Sequence, residues 1–332
     1  MSYADSCFIS TCKDILQNGI STIDEKVRPK WSDGSYAYTM KKFGVINKYD
    51  LRKEFPATTL RKTALRAAMD EILWIYQKKS NNVKDLKSHI WDQWADENGS
   101  IGSAYGYQIK KKFKYTINIT DKKYGSDIDI ISNNLKRKFP SIEISHIDCR
   151  IKPDLGKSIY DNKLIYYKAD VLIDQMDYVL FELENNPYNR RIMTSLWNTE
   201  DLHEMNLYPC TWSVSYSVTR EGNDKYLNMF LNQRSQDMLA ANNWNTAQYA
   251  ILLMMVAQVS YMKPGELIHS IVDAHIYDRH IPIVEELIKR ETFNAPKVWL
   301  NPNIRNFYDF TTDDLHIEDY TAGPQVKFEI AV

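Results

Sequence analysis

The stretch Thr246 to Met262 constrains this chain more than any other, because Tyr249 to Ala257 is an unbroken apolar run inside it. Read at 3.6 residues per turn, the segment is apolar on nearly every face. A helix with no polar side has to be surrounded by other elements, so the fold must provide a core large enough to enclose it. The run is about half of the roughly 20 residues that a bilayer span needs, so the enclosing medium is expected to be protein. Pro264-Gly265 reads as the stop signal of this helix. A chain of 332 residues with 44% apolar content can bury such a core, and its length fits two domains of roughly 150 residues or one large one.

Charge narrows the classes of partner. The 42 Lys+Arg and 43 Asp+Glu leave a net −1, which argues against a protein that coats nucleic acid or an anionic membrane. The balance hides a local bias, because residues 110–173 hold 14 basic against 8 acidic residues. This stretch opens with Lys110-Lys111-Lys112-Phe113-Lys114 and carries Lys136-Arg137-Lys138. Tyr115–Ile119, Ile142–Ile144 and Leu164–Tyr167 are β-rich, and Asp127–Phe139 reads as a short amphipathic helix. With little Gly or Pro it is expected to be a folded basic insertion, not a linker, dividing one unit into 1–109 and 174–332. Phe113, Tyr115 and Tyr124 among the lysines would suit RNA, although no stacking motif is recognisable and a solvated lysine-rich surface is the plainer reading.

Four cysteines, Cys7, Cys12, Cys149 and Cys210, form neither a disulfide framework nor a CxxC pair, which predicts free thiols and no structural metal. The N-terminus has no basic region followed by an apolar one, so a cytoplasmic location without a secretory signal is expected.

Residues 1–60 look mixed and turn-rich, with Trp31-Ser32-Asp33-Gly34-Ser35 as a tight turn. Thr63 is the expected N-cap of a helix running to Lys79, apolar almost all round, which would hold Glu71 among apolar neighbours and raise its pKa. Asp174–Leu183 reads as a helix ended by Asn185-Asn186-Pro187, and Ile192–Leu196 as a strand. Trp212, Val214, Tyr216 and Val218 alternate with polar residues in a half-buried strand, and Cys210 shares the parity of the apolar set. A second strand, Tyr226–Gln233, follows a turn at Gly222.

Several residue types in these settings can carry chemistry. Cys210 follows Pro209 at a strand start, where a thiolate could be stabilised by nearby cations or the thiol could be a small core hydrophobe. Arg190-Arg191 follows a turn and Arg234 ends a strand, so each can present a guanidinium fork to an anion, or lie on a solvated surface. His275 and Tyr277 share one face of an extended segment beside Asp273, and Asn245 stands at the start of the apolar helix, where a cap or a ligand contact would fit. No P-loop or dinucleotide fingerprint is present.

In this order the pieces resemble the thymidylate synthase family. The matching stretches are Asp70-Glu71-Ile72-Leu73-Trp74, His89-Ile90-Trp91-Asp92-Gln93-Trp94 with Tyr105-Gly106, and Arg190-Arg191. Tyr208-Pro209-Cys210, Gln233-Arg234-Ser235-Gln236-Asp237, Trp244-Asn245, Asp273-Ala274-His275-Ile276-Tyr277 and the C-terminal Ile330-Ala331-Val332 continue it. The resemblance covers most of residues 10–109 and 174–332. It implies an α+β fold, with a large mixed sheet packed by helices that include a buried central one, and an inserted subdomain. It also implies a methyltransferase of dTMP biosynthesis, reductively methylating dUMP at C5 with 5,10-methylenetetrahydrofolate as carbon and hydride donor and no metal.

On that resemblance Cys210 would be the nucleophile at C6, with Arg234 holding phosphate and thiolate. Glu71 would be the acid/base group acting through ordered water. Arg28, Arg190, Arg191 and Ser235 would complete the phosphate site, the pair 190–191 reaching across a homodimer interface. Asn245 would read the uracil ring and His275 and Tyr277 the deoxyribose hydroxyl. Trp91, Trp94, Asp237 and the Val332 carboxylate would face the folate, and Tyr105 would line the site. The sequence departs from the family pattern at Thr211 and Ser215, at Ala240-Ala241-Asn242-Asn243-Trp244 where Leu-Gly-x-Pro-Phe is usual, and at Val272. These departures leave open a dUMP hydroxymethylase, in which water captures the C5 methylene, and nucleic-acid binding through the basic insertion is the alternative from another class.

Overall fold

The computed structural model describes residues 1–119, 124–125, 127–153 and 163–332. The parts of the expected insertion at 120–123, 126 and 154–162 lie outside the described residues. Helix α1 (Tyr3–Asn18) leads into β1 (Ile20–Ser21) and β2 (Thr39–Asp50); α2 (Leu65–Ile72) continues as a π-helical turn over Leu73–Gln77. Then come α3 (Gly106–Lys110), β3 (Lys112–Ile119), α4 (Ile128–Lys138), β4 (Glu143–Pro153), β5 (Lys163–Asp174) and α5 (Gln175–Asn185). The remainder holds β6 (Met193–Ser195), β7 (Thr211–Glu221), β8 (Asp224–Gln233), β9 (Gln236–Asp237), α6 (Asn242–Val259), β10 (Lys263–Tyr277), α7 (Ile281–Leu287), β11 (Lys297–Leu300) and β12 (Leu315–Glu318).

A large mixed sheet runs in the order β1-β2-β10-β8-β7-β6, with β9 beside the end of β10. β10 is antiparallel to β2 and parallel to β8, and so ties the two halves together. Helix α6 packs on the inner side of this sheet and α2 packs on α6. Leu252, Leu253, Met255, Val256 and Ala257 are all fully buried, as a helix without a polar face requires. The architecture is therefore α+β, with a large mixed sheet and a buried central helix.

β3, β5 and β4 form a separate three-stranded antiparallel sheet, with α4 packed against β4. Ile117, Ile131, Leu135, Phe139 and Val171 from this part join the same continuous core as α6, so it is packed against the rest of the molecule.

Five local readings need correction. Residues 1–60 are not chiefly turns: α1 is a 16-residue helix capped by Ser2, and β2 is a 12-residue strand. The buried stripe of α1, Ala4, Phe8, Cys12 and Ile15, contains small residues, so its periodicity is faint in the sequence. Thr63 is not the N-cap of α2; the boundary residue is Ala64, and the Thr63 hydroxyl instead accepts from the Asn243 side chain at 3.0 Å. Pro264-Gly265 does not end α6. The helix stops at Val259, Tyr261 takes φ +58°, and Pro264 and Gly265 already belong to β10. Asn245 lies within α6 and does not cap it; Ala241 holds the cap position. The parity of Cys210 does not carry over from β7, because the register shifts between Thr211 and Ser213 and both of those residues are buried.

Candidate functional site

The site gathers where the C-terminal ends of β8 and β10 meet the start of α6. Cys210 sits immediately before β7, its backbone N–H donating to the Tyr105 hydroxyl at 3.3 Å and its carbonyl accepting from the Arg234 N–H at 2.9 Å. The Arg234 guanidinium donates to the carbonyls of Pro209 at 3.0 Å and Tyr208 at 2.8 Å, which brings Nη2 to 3.9 Å from Cys210 Sγ. Burial raises the Cys210 thiol pKa, while Arg234 and then Arg28 act to lower it; burial prevails. The balance is therefore sensitive to any added cation.

Behind Cys210 runs a directional amide chain. The Gln233 carbonyl oxygen can only accept, so the His269 Nε2 facing it at 2.7 Å carries the hydrogen. Gln233 Nε2 then donates to Asn245 Oδ1 at 3.1 Å, and Asn245 Nδ2 donates to Gln248 Oε1 at 2.9 Å. His269 is fully buried, and burial pushes its pKa down to about 3, so it is neutral. The buried Gln248 amide nitrogen acts, with Trp244 and Trp91, on the Glu71 carboxyl. Glu71 is 4% exposed; burial raises its pKa against the lowering effect of those three donors.

Trp91 packs on Tyr105 with ring centroids 4.7 Å apart and on Trp94 at 5.5 Å, forming an aromatic wall. Tyr105 holds φ +50° immediately before Gly106, where a Cβ would come within 2.1 Å of the Ser80 carbonyl oxygen. Asp237 accepts from the backbone N–H groups of Leu239 and Ala240 at 2.9 and 3.0 Å, and its other oxygen lies 3.8 Å from His280 Nδ1. His275 and Tyr277 do share one face, with centroids 5.1 Å apart, and His275 Nδ1 meets Asp273 at 2.9 Å. Burial raises the Asp273 pKa, but His275 and Lys41 outweigh it and hold it below the usual carboxylate value. Val332 pairs reciprocally with the backbone of Lys30 at 2.9 and 3.0 Å, placing the C-terminus beside the exposed Arg28 loop.

Ser235 joins this cluster through the strand end, its carbonyl accepting from Gln233 at 3.1 Å. Arg190 and Arg191 do not join it. Both are exposed in the turn after α5, Arg191 offering its carbonyl to the Tyr178 hydroxyl at 2.9 Å, and among the described residues neither bonds to the Cys210 cluster. Sequence reasoning missed His269 and Gln248. His269 shares strand parity with Leu267 and Ile271, and Gln248 stands one helical turn after Trp244, and these were the signals that could have found them.

A thymidylate synthase family model matches residues 6–332. The chain belongs to the thymidylate synthase family. It is 38% identical to a thymidylate synthase of Bacillus licheniformis over 336 aligned positions, covering the whole of both chains. It is 36% identical to thymidylate synthase 1 of Bacillus subtilis strain 168, again over the whole of both. A solved structure, the thermostable thymidylate synthase A from Bacillus subtilis, superposes with a TM-score of 0.76 at 36% identity, covering 99% of each chain. Family membership thus extends through residues 110–173 as well as the motifs on either side.

Proposed function

We propose that the chain is a thymidylate synthase that converts dUMP to dTMP with 5,10-methylenetetrahydrofolate, through addition of the Cys210 thiolate to C6 of the pyrimidine. The observation that carries this reading is the Arg234 guanidinium fixed 3.9 Å from Cys210 Sγ by two backbone carbonyls, with the Asn245 amide held by the adjacent residue Gln233. Sulfur addition at C6 places negative charge on C5 and O4, making C5 a carbon nucleophile. Arg234, Arg28 and Ser235 hold the phosphate, and Arg234 also stabilises the thiolate. Asn245 offers one donor and one acceptor to the uracil edge, which matches O4 and N3–H. His275 and Tyr277 receive the sugar hydroxyl.

The folate site is read from the Trp91–Trp94–Tyr105 wall, whose aromatic surfaces fit a planar heteroaromatic guest. Trp91, Trp94, Asp237 and Val332 would hold the folate, which supplies the one-carbon unit and the hydride when bound. Glu71, whose pKa burial raises, moves protons between the pyrimidine and ordered water. Trp91 shields the C5 methylene from water, which favours methylation over hydroxymethylation.

Arg190 and Arg191 are read as serving a second copy of this chain in a homodimer, because they are exposed and have no role in their own cluster. Added cations beside Cys210 would also bring its thiol pKa down. The dimer face proposed is the outer side of the large sheet, where Ile46 is 64%, Val272 47% and Phe230 38% exposed. Residues 110–173 are read as an inserted subdomain of the catalytic unit 1–109 and 174–332, since among the described residues its three strands pair only among themselves. Among the described residues no helix is long and apolar enough to cross a membrane. A cytoplasmic location is proposed from the free thiols.

Incubation with dUMP and methylenetetrahydrofolate tests the reaction. Dihydrofolate formed together with dTMP is expected; hydroxymethyl-dUMP with tetrahydrofolate would replace this reading by its alternative. Cys210→Ser should abolish turnover and still bind dUMP, and full activity in that variant would refute the nucleophile.

A further inference from the structure

Glu71 is buried between α2 and α6, and Trp244, in the first turn of α6, donates its indole N–H to Glu71 Oε2 at 2.9 Å. An indole N–H only donates, so Oε2 is an acceptor whether the carboxyl is neutral or ionised. Trp244 and Gln248 lie one turn apart on the same side of α6, and the Gln248 and Trp91 nitrogens, buried beside the carboxyl, also act to lower its pKa. The titratable groups facing Glu71 are few. Asp70 precedes it on α2 and accepts the Lys87 N–H, and Tyr105 approaches from the segment before α3.

We propose that Trp244 is a positioning residue that fixes which oxygen of Glu71 carries the exchangeable proton. Because the carbonyl oxygen of a carboxylic acid is a stronger acceptor than its hydroxyl oxygen, the indole at Oε2 favours a neutral Glu71 with its hydrogen on Oε1, and an ionised Glu71 takes it back there. Each transfer breaks or forms one O–H bond at Oε1, the proton passing to or from the pyrimidine side through water. The same bond is stronger to the ionised carboxylate, so Trp244 works against burial and keeps Glu71 able to cycle between the two forms. Phenylalanine at this position would fill the space and lose both effects. This inference deepens the reading of Glu71 as the acid/base group and rests on it.

Trp244→Phe tests it, because the ring is retained and only the N–H is removed. The limb of the kcat–pH profile that belongs to Glu71 should move upward by on the order of one pH unit, since a hydrogen bond to the charged form has been removed. kcat at neutral pH should fall about tenfold, with KM for dUMP unchanged, a loss below that expected for removing an acid/base group outright. In the unliganded protein, the infrared carbonyl band of protonated Glu71, identified by its loss in Glu71→Gln, should move to higher wavenumber in Trp244→Phe, because Oε2 has lost its donor. A wild-type pH limb and an unmoved band would overturn the proposal. Should Trp244→Phe fail to fold, Trp91→Phe protein labelled with 15N-tryptophan gives the same decision. One indole resonance must follow the Glu71 titration and cease to do so when Glu71→Gln is added, and its absence overturns the idea. Lack of dTMP formation by the wild type would defeat the proposed function, while the infrared and 15N measurements would still judge Trp244.

Discussion

At the residue scale, the site is organised by groups that have only one way to bond. The Gln233 carbonyl accepts and the indole of Trp244 donates, so the directions of the hydrogen bonds from His269 to Asn245 and from Trp244 to Glu71 follow without further choice. His269 has a measurable consequence. Its folded pKa, about 3, lies below the ordinary 6.5, so the unfolded chain binds a proton first as pH falls. Its contribution is complete above pH 6.5 and is lost progressively down to about pH 3, at up to about 1.4 kcal/mol per pH unit. His269→Gln keeps an N–H for Gln233 and removes the titration, so urea midpoints measured from pH 7 to pH 4 should fall less steeply than in the wild type. Equal slopes would show that His269 is not the neutral buried group described.

At the scale of elements, the junction between α5, the π-helical turn after α2 and the 307–309 turn is held by buried charge. Lys79 Nζ lies 2.5 Å from Asp174 and donates to the Tyr308 hydroxyl at 2.8 Å, while Tyr308 donates to Asp177. Asp177 also accepts the Ser141 N–H at 2.6 Å, and the Asp174 N–H donates to the Ser141 hydroxyl at 3.1 Å, so residues from the basic stretch enter the same cluster. Burial raises the Asp174 pKa, with Lys79 opposing it, and Lys79 and Asp174 are only 10% and 2% exposed. Lys79→Met strands the carboxylate and should cost about 3 kcal/mol in urea unfolding. Lys79→Met with Asp174→Asn should recover part of that loss, and a double variant no better than the single one would argue against the pair as the source. None of this was visible in the sequence, since Lys79 reads as one surface lysine among many.

At the scale of the whole molecule, the outer face of the large sheet and the exposed arginines make one prediction together. Phe230 lies opposite Ser215 on β7 and Ile268 on β10, in a row that continues to Lys48 on β2. A charge in the middle of that row should be tolerated by the single chain and rejected by a second copy packed against it. Phe230→Asp is expected to sediment as a monomer and to lose dTMP formation, because Arg190 and Arg191 then reach no phosphate. An active monomer would remove the shared-arginine arrangement and leave the Cys210 cluster intact.

The buried central helix, the strands that alternate at period two, and the identity of Cys210, Glu71, Arg234 and Asn245 as candidates were legible in the sequence. Each of these depends on local periodicity or on residue type in a recognisable order. The long first helix was not legible, because Ala4 and Cys12 give its buried side little hydrophobic contrast. The end of α6 was misplaced, because Tyr261 ends it by backbone conformation, not by a Pro-Gly signal. What the tertiary structure alone decided is which polar groups face one another: His269 behind Gln233, Trp244 against Glu71, Lys79 against Asp174. These pairings join residues from 36 to 173 positions apart on elements that meet only in the packed core. The physical reason is that burial leaves a polar atom no water to bond with, so its partner is chosen by the fold and not by its neighbours in the chain.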